Sequence, residues 1–160
     1  MPYRFEYADK SKLEAVLTTC FRLFYDNMRK IASLGKFEDE FAAWYGEVYP
    51  AVKNTVREIV LMYDGEAFVG FFQYYVSGGV FMMEEIQFAK EYHGSGLFRE
   101  FYTWLIGRLP EGIGTVRAYA YKGNLKSQGI LYHLGLCECG ESEDLLEYRG
   151  DYAALTAKYE

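Results

Sequence analysis

Between residues 80 and 106 the chain passes from a strand, through a pair of glycines, into a helix, and that order narrows what the remainder can build. Val80-Phe81-Met82-Met83-Glu84-Glu85-Ile86-Gln87-Phe88 is an apolar, β-favouring run interrupted by two carboxylates. Ala89-Lys90-Glu91 leads to Tyr92-His93-Gly94-Ser95-Gly96, after which Leu97, Phe101, Trp104, Leu105 and Leu109 recur at helical spacing until Pro110 and Gly112. Glycine just before a helix lets the backbone approach a ligand without a Cβ in the way. The first-turn N–H groups lack intrahelical acceptors and sit at the positive end of the helix dipole, which suits an anionic phosphate. The stretch reads as a pyrophosphate cradle.

The flanks supply a sheet for it. Tyr3–Tyr7 reads as a first strand, and Asp9 or Ser11 can cap a helix carrying Leu13, Val16, Leu17, Cys20, Phe24, Met28 and Ile31, with Gly35 as its stop. A second helix is expected over residues 37–48, with Phe41, Trp44, Tyr45 and Val48 on one side and Pro50 closing it. Residues 57–63 and 67–76 read as strands joined by the tight turn Asp64-Gly65, and Ser77-Gly78-Gly79 turns back into Val80–Phe88. Those strands form an antiparallel meander. Thr115–Tyr121 follows a helical crossover, so it can pair parallel to Val80–Phe88. A helix over 126–134 stopped by Gly135, then strands over 136–140 and 145–153, complete the pattern. The expectation is one α+β domain spanning residues 1–160, with about seven strands and about four helices on both faces.

Composition excludes several functions. Of 160 residues, 51% are hydrophobic and 25% charged, enough for a real core. The 16 tyrosines and 12 phenylalanines fill sheets well, and some can line a pocket for a cationic group. A net charge of −6 argues against a nucleic-acid binder and suits a small cationic substrate. No apolar run reaches the roughly 20 residues of a membrane span, and Met1-Pro2-Tyr3-Arg4 does not read as a signal peptide. Cys20, Cys137 and Cys139 form no CxxC, which fits reduced thiols in a cytoplasm. Cys137 and Cys139 alternate on a strand and so are expected to share a face, and no ligand cluster has metal-site spacing.

Two local signatures resemble the GNAT family of acyl-CoA-dependent N-acyltransferases. One is Ile86-x-Phe88 followed by Glu91-Tyr92-His93-Gly94-Ser95-Gly96-Leu97; the other is Asn124-x-x-Ser127 followed by Leu131-Tyr132-x-x-Gly135-Leu136. His93 stands where the family usually has Arg or Gln, and Phe98 where it has a small residue. The resemblance implies a mixed sheet that is antiparallel except for a central parallel pair that splays apart. It implies acetyl-CoA as cosubstrate, bound where those strands diverge. Backbone groups near Phe88, Ala89 and Lys90 would pair with the pantetheine arm, amides of His93, Gly94, Ser95, Gly96 and Leu97 would hold the pyrophosphate, and Asn124 and Ser127 would lie on the opposite side. Asn124 can equally be a turn or cap residue after Gly123.

The implied reaction is direct attack of a primary amine, small or peptidyl, on the thioester. Glu84 and Glu85 lie in an apolar strand, where a carboxylate is costly without a partner, so one can serve as general base. Adjacent strand residues point to opposite faces, and the resemblance favours Glu84 while Glu85 competes. The bland reading of either is a salt bridge to Arg117 or Lys122. Tyr132 stands at the family's tyrosine position, as candidate general acid, with an ordinary buried tyrosine as the alternative. A homodimer is compatible with the resemblance. A non-catalytic acyl-CoA-binding or sensing module of the same fold is the competing function, and an interaction scaffold a third.

Overall fold

The structure, a computed structural model, describes residues 3–159. The Met1-Pro2 end of the signal-peptide reading and residue 160 lie outside them. In chain order come β1 (Tyr3–Tyr7), a 3₁₀ turn (Lys10–Lys12), α1 (Leu13–Met28), α2 (Phe37–Asn54), β2 (Glu58–Asp64), β3 (Ala67–Ser77) and β4 (Val80–Phe88). A second 3₁₀ turn (Lys90–Tyr92) precedes α3 (Leu97–Ile106), β5 (Thr115–Tyr121), α4 (Leu125–His133), β6 (Cys137–Glu141), β7 (Leu145–Asp151) and α5 (Tyr152–Tyr159). The strands form a seven-stranded mixed sheet in the order β1-β2-β3-β4-β5-β7-β6. β4 and β5 run parallel, whereas β1–β2, β5–β7 and β6–β7 are antiparallel.

The described residues fall into two compact units. The first runs to Gln73 and includes Glu85–Phe98. Its helical start is set by Asp9, whose Oδ1 accepts the Ser11 N–H at 2.9 Å and the Ser11 hydroxyl at 2.7 Å. Leu13, Leu17 and Cys20 of α1 are buried with Val52 of α2 and Ile59, Leu61 and Phe71 of the sheet. α1 stops at Met28 rather than reaching Ile31, because the buried stripe has ended and Ile31 is 58% exposed. Much of the aromatic excess joins the two helices: Phe21 lies 5.1 Å from Trp44, 5.3 Å from Phe37 and 5.4 Å from Phe41 between ring centroids.

Pro50 does not close α2, as its type suggests, but lies inside a helix that continues to Asn54. A helix-interior proline forfeits one hydrogen bond and crowds the carbonyl four residues back. The helix survives because Val52, two residues further on, is buried in the core it shares with α1.

The second unit comprises Tyr74–Glu84 and the chain from Arg99 onward. Gly78 and Gly79 adopt φ of 57° and 77°, the left-handed backbone that the β3–β4 turn requires. The β4–β5 ladder then matches Val80–Met83 with Thr115–Ala118. Beyond Ala118, β5 continues in register with β7, Tyr119 opposite Glu147 and Tyr121 opposite Leu145. Phe81 is fully buried against the edges of Tyr74 and Tyr152. Tyr102 stacks on Tyr159 and donates its hydroxyl to Met83 Sδ at 3.4 Å.

The final strand ends at Asp151, and the chain then forms α5, which sequence reading ran into the strand. Eight residues are too few for periodicity to stand out, although buried Leu155 and Tyr159 do recur four apart. In β6 the register shifts between Glu138 and Gly140, so a bulge at Cys139 interrupts the expected alternation with Cys137. Both thiols are exposed, and Cys20 is buried. Among the described residues no group of three or more potential metal ligands is found, and no helix is long and apolar enough to cross a membrane.

Candidate functional site

The loop between β4 and α3 is built almost wholly by main chain. Ala89 N–H donates to Val69 O at 2.7 Å, and Tyr92 N–H donates to Ala89 O at 3.0 Å, so the end of β4 rolls into a tight turn. His93 N–H donates to Lys90 O at 3.3 Å and Ser95 N–H to Tyr92 O at 3.2 Å. Ser95 also donates its hydroxyl to Tyr92 O at 2.6 Å, and Leu97 N–H lies 3.4 Å from Ser95 Oγ. Three of the amides assigned to a phosphate are therefore engaged internally, those of His93, Ser95 and Leu97. The Gly94 and Gly96 amides have no such partner among the described residues.

Gly94 and Gly96 adopt φ of 80° and 90°, and a Cβ on either would meet nothing within 4 Å. Glycine is required there for its backbone, and open space lies beside it. The loop is pinned from outside by Tyr92, whose hydroxyl donates to Asp64 Oδ2 at 2.8 Å while its ring meets Tyr3 edge-on. That bond favours the protonated phenol and pushes its pKa up. Phe98 turns its ring edge-on to Phe88, with centroids 5.9 Å apart, and His93 lies 6.4 Å from the same ring. The two residues that depart from the family pattern thus flank Phe88. Leu97 is buried and anchors the first turn of α3.

Glu84 and Glu85 are both half-buried on β4. Glu85 Oε1 accepts from Gln87 Nε2, Gln87 Oε1 accepts from Asn27 Nδ2 at 2.9 Å, and Asn27 Nδ2 also donates to Phe88 O at 2.9 Å. The cations proposed as salt-bridge partners have carboxylates of their own: Arg117 pairs with Glu147, and Lys122 with Glu141 at 2.9 Å.

In the second unit, Asn124 is the cap of α4, its Oδ1 accepting from Ser127 N–H at 3.1 Å. Its Nδ2 retains two hydrogens as donors. Ser127 is half-buried. Tyr132 is 75% exposed and so is not a core tyrosine, and its neighbour His133 is exposed as well. Tyr121 and Leu125 are also large apolar residues left open. Sequence reading missed Asp64 and Asn27 because their partners lie 28 and 60 positions away with no local pattern to betray them. Gln87 carried a signal, since it shares a strand face with Glu85. A cavity lined by Ser11, Glu14, Thr18 and Tyr49 contains none of the catalytic or cofactor-binding residues assigned from sequence.

A mixed seven-stranded sheet, with one parallel pair joined through a helix that opens on a glycine loop, is the fold of the GNAT N-acetyltransferases. Among solved structures, the PaiA N-acetyltransferase of Thermoplasma acidophilum in complex with coenzyme A is 14% identical, with a TM-score of 0.72 over 95% of this chain and 100% of that one. An acetyltransferase from Thermus thermophilus is 15% identical, with a TM-score of 0.72 over 94% of this chain and 97% of that one. A mutant form of the SpeG spermidine N-acetyltransferase of Vibrio cholerae is 12% identical, with a TM-score of 0.63 over 99% of both chains. No family model matches the chain, and no curated protein matches it by sequence.

Proposed function

We propose that this chain is an N-acetyltransferase that moves an acetyl group from acetyl-CoA to a primary amine, small or peptidyl. The observation that carries the reading is the pair of positive-φ glycines, Gly94 and Gly96, whose amides have no acceptor among the described residues at the head of α3. The fold adds weight, one neighbour having been crystallised with coenzyme A. The residues suit such a group: the Gly94, Gly96 and first-turn amides take the pyrophosphate, and main chain around Phe88, Ala89 and Lys90 takes the pantetheine arm. Asn124, through Nδ2, and Ser127 add polar contacts. Residues 1–160 act as one acetyltransferase domain, in a reducing cytoplasm that keeps the thiols free, and a homodimer is compatible with this reading.

Acetyl-CoA supplies the activated acyl carbon and a thiolate leaving group. The chain supplies proton transfers. An alkylammonium with a pKa of about 10.4 must first lose a proton, and Glu84 or Glu85 accepts it. The amine lone pair forms the C–N bond as the C–S bond breaks, and the second nitrogen proton passes to solvent. Tyr132 gives its phenolic proton to the departing sulfur and recovers one from water, which its exposure allows. The products are an acetamide and a free thiol. The competing reading, a non-catalytic acyl-CoA sensor, is favoured by the two rings that flank Phe88.

Thiol release across a panel of amines separates the two. Tyr132→Phe and one of Glu84→Gln and Glu85→Gln are expected to lose about tenfold or more in kcat. Unchanged rates in all three variants would remove the role assignments, and a wild-type chain that binds acetyl-CoA yet releases no thiol would leave the sensor.

A further inference from the structure

Three of the last four residues of β4, Glu85, Gln87 and Phe88, are tied to the last turn of α1 by a chain of side-chain amides that the reaction scheme above does not use. We propose that Asn27 and Gln87 are positioning residues that hold Glu85 as the base of acetyl transfer, an assignment that rests on the acetyltransferase reading.

Asn27 is the hub. Its Nδ2 donates to Gln87 Oε1 and to Phe88 O, both at 2.9 Å. Two acceptors take its two amide hydrogens, so the side chain cannot rotate without losing one. Asparagine is a weak helix former, and its place in the last turn of α1 is accounted for by these bonds. A glutamine amide can face either way, and the partner at one end decides the other. With Asn27 donating to Oε1, the Gln87 Nε2 end must point away from α1, and it donates to Glu85 Oε1. The polarity of the relay is therefore written by α1.

Glu85 and Gln87 stand two apart on β4 and share a face, which excludes Glu84 from the relay. A carboxylate offers about four acceptor positions, so the bond from the neutral Gln87 amide aims it while leaving positions for other groups. A lysine or arginine at position 87 would neutralise the charge that takes up the ammonium proton. The amide orients the group and leaves that charge in place. All the bonds are half-buried, where such a network keeps its geometry better than at an open surface.

The test is a double-mutant cycle on the full chain, with kcat and KM for amine and acetyl-CoA measured by thiol release. Gln87→Leu and Asn27→Leu should each lower kcat by about tenfold and leave both KM values within about twofold, and neither should cost anything further when Glu85 is already Gln. Gln87→Met, which keeps the length without the donor, repeats the measurement should the leucine variants melt early. An equal loss of kcat in the Glu85→Gln background, or a loss confined to KM, would overturn the relay. If the wild-type chain acetylates none of the amines, the acetyltransferase reading fails and takes the relay with it. If it turns over but the effects simply add, the relay alone fails.

Discussion

A single phenol carries much of the order in the cradle. Tyr92 ends the turn after β4, and its bond to Asp64 fixes where the Gly94 and Gly96 amides begin. Tyr92→Phe keeps the ring against Tyr3 and deletes that bond, at a cost of about 1 kcal/mol. Acetyl-CoA should bind about fivefold more weakly, measured by calorimetry. The bond also has an alkaline limit. Asp64 raises the folded-state pKa of the phenol, so its contribution is fully present below the ordinary tyrosine range and is lost as pH rises through the raised value. The melting difference between wild type and Tyr92→Phe should persist to about pH 10 and close above it. The glycines of this loop were legible in the sequence, because positive φ restricts the residue type at those positions themselves. Asp64 and Asn27 were not, since a hydrogen bond across 28 or 60 residues leaves no mark on neighbouring positions.

At the scale of elements, two positions decide how β4 and α2 sit within the first unit. Gly70 of β3 faces the end of β4 so closely that a Cβ would stand 2.7 Å from Gln87 O and 3.1 Å from the Phe88 ring. Gly70→Ala should therefore destabilise by about 1–3 kcal/mol in denaturant melts. It should also lower kcat, since the strand it displaces carries Glu85 and Gln87; full activity with a lower melting point would limit the glycine to packing. Pro50 is the opposite case. It is exposed and breaks the hydrogen-bond ladder of α2, so Pro50→Ala should raise stability by about 1–2 kcal/mol. An unchanged melting point would mean that the missing bond costs nothing there. Local rules ended α2 too early because they price the lost bond and cannot see Val52 in the core. They ran β7 too far because apolar Tyr152 and Ala153 suit a strand as well as a helix.

For the whole molecule, saturating ligand is the simplest probe. Acetyl-CoA at 100 times its Kd should add about 2.7 kcal/mol to the stability of the chain. For a protein of this size that is about 5–10 °C in Tm, and no shift at all would remove both the enzyme and the sensor. The architecture was legible well beyond the cradle: the meander, the parallel crossover and the closing strands all follow from turn residues and run lengths. The insertion of β7 between β5 and β6 was not, because the sequence orders the strands without saying which edges meet.

The two units are interleaved along the chain, the first ending at Gln73, resuming at Glu85 and finishing at Phe98. No single scission can therefore release either as an intact fragment. A growing polypeptide that has emerged as far as Phe98 presents one edge of Val80–Met83 with its companion Thr115–Ala118 still unmade. Synthesis on the ribosome is thus a stage at which this unpaired strand edge invites clumping, and one at which a chaperone would serve the chain.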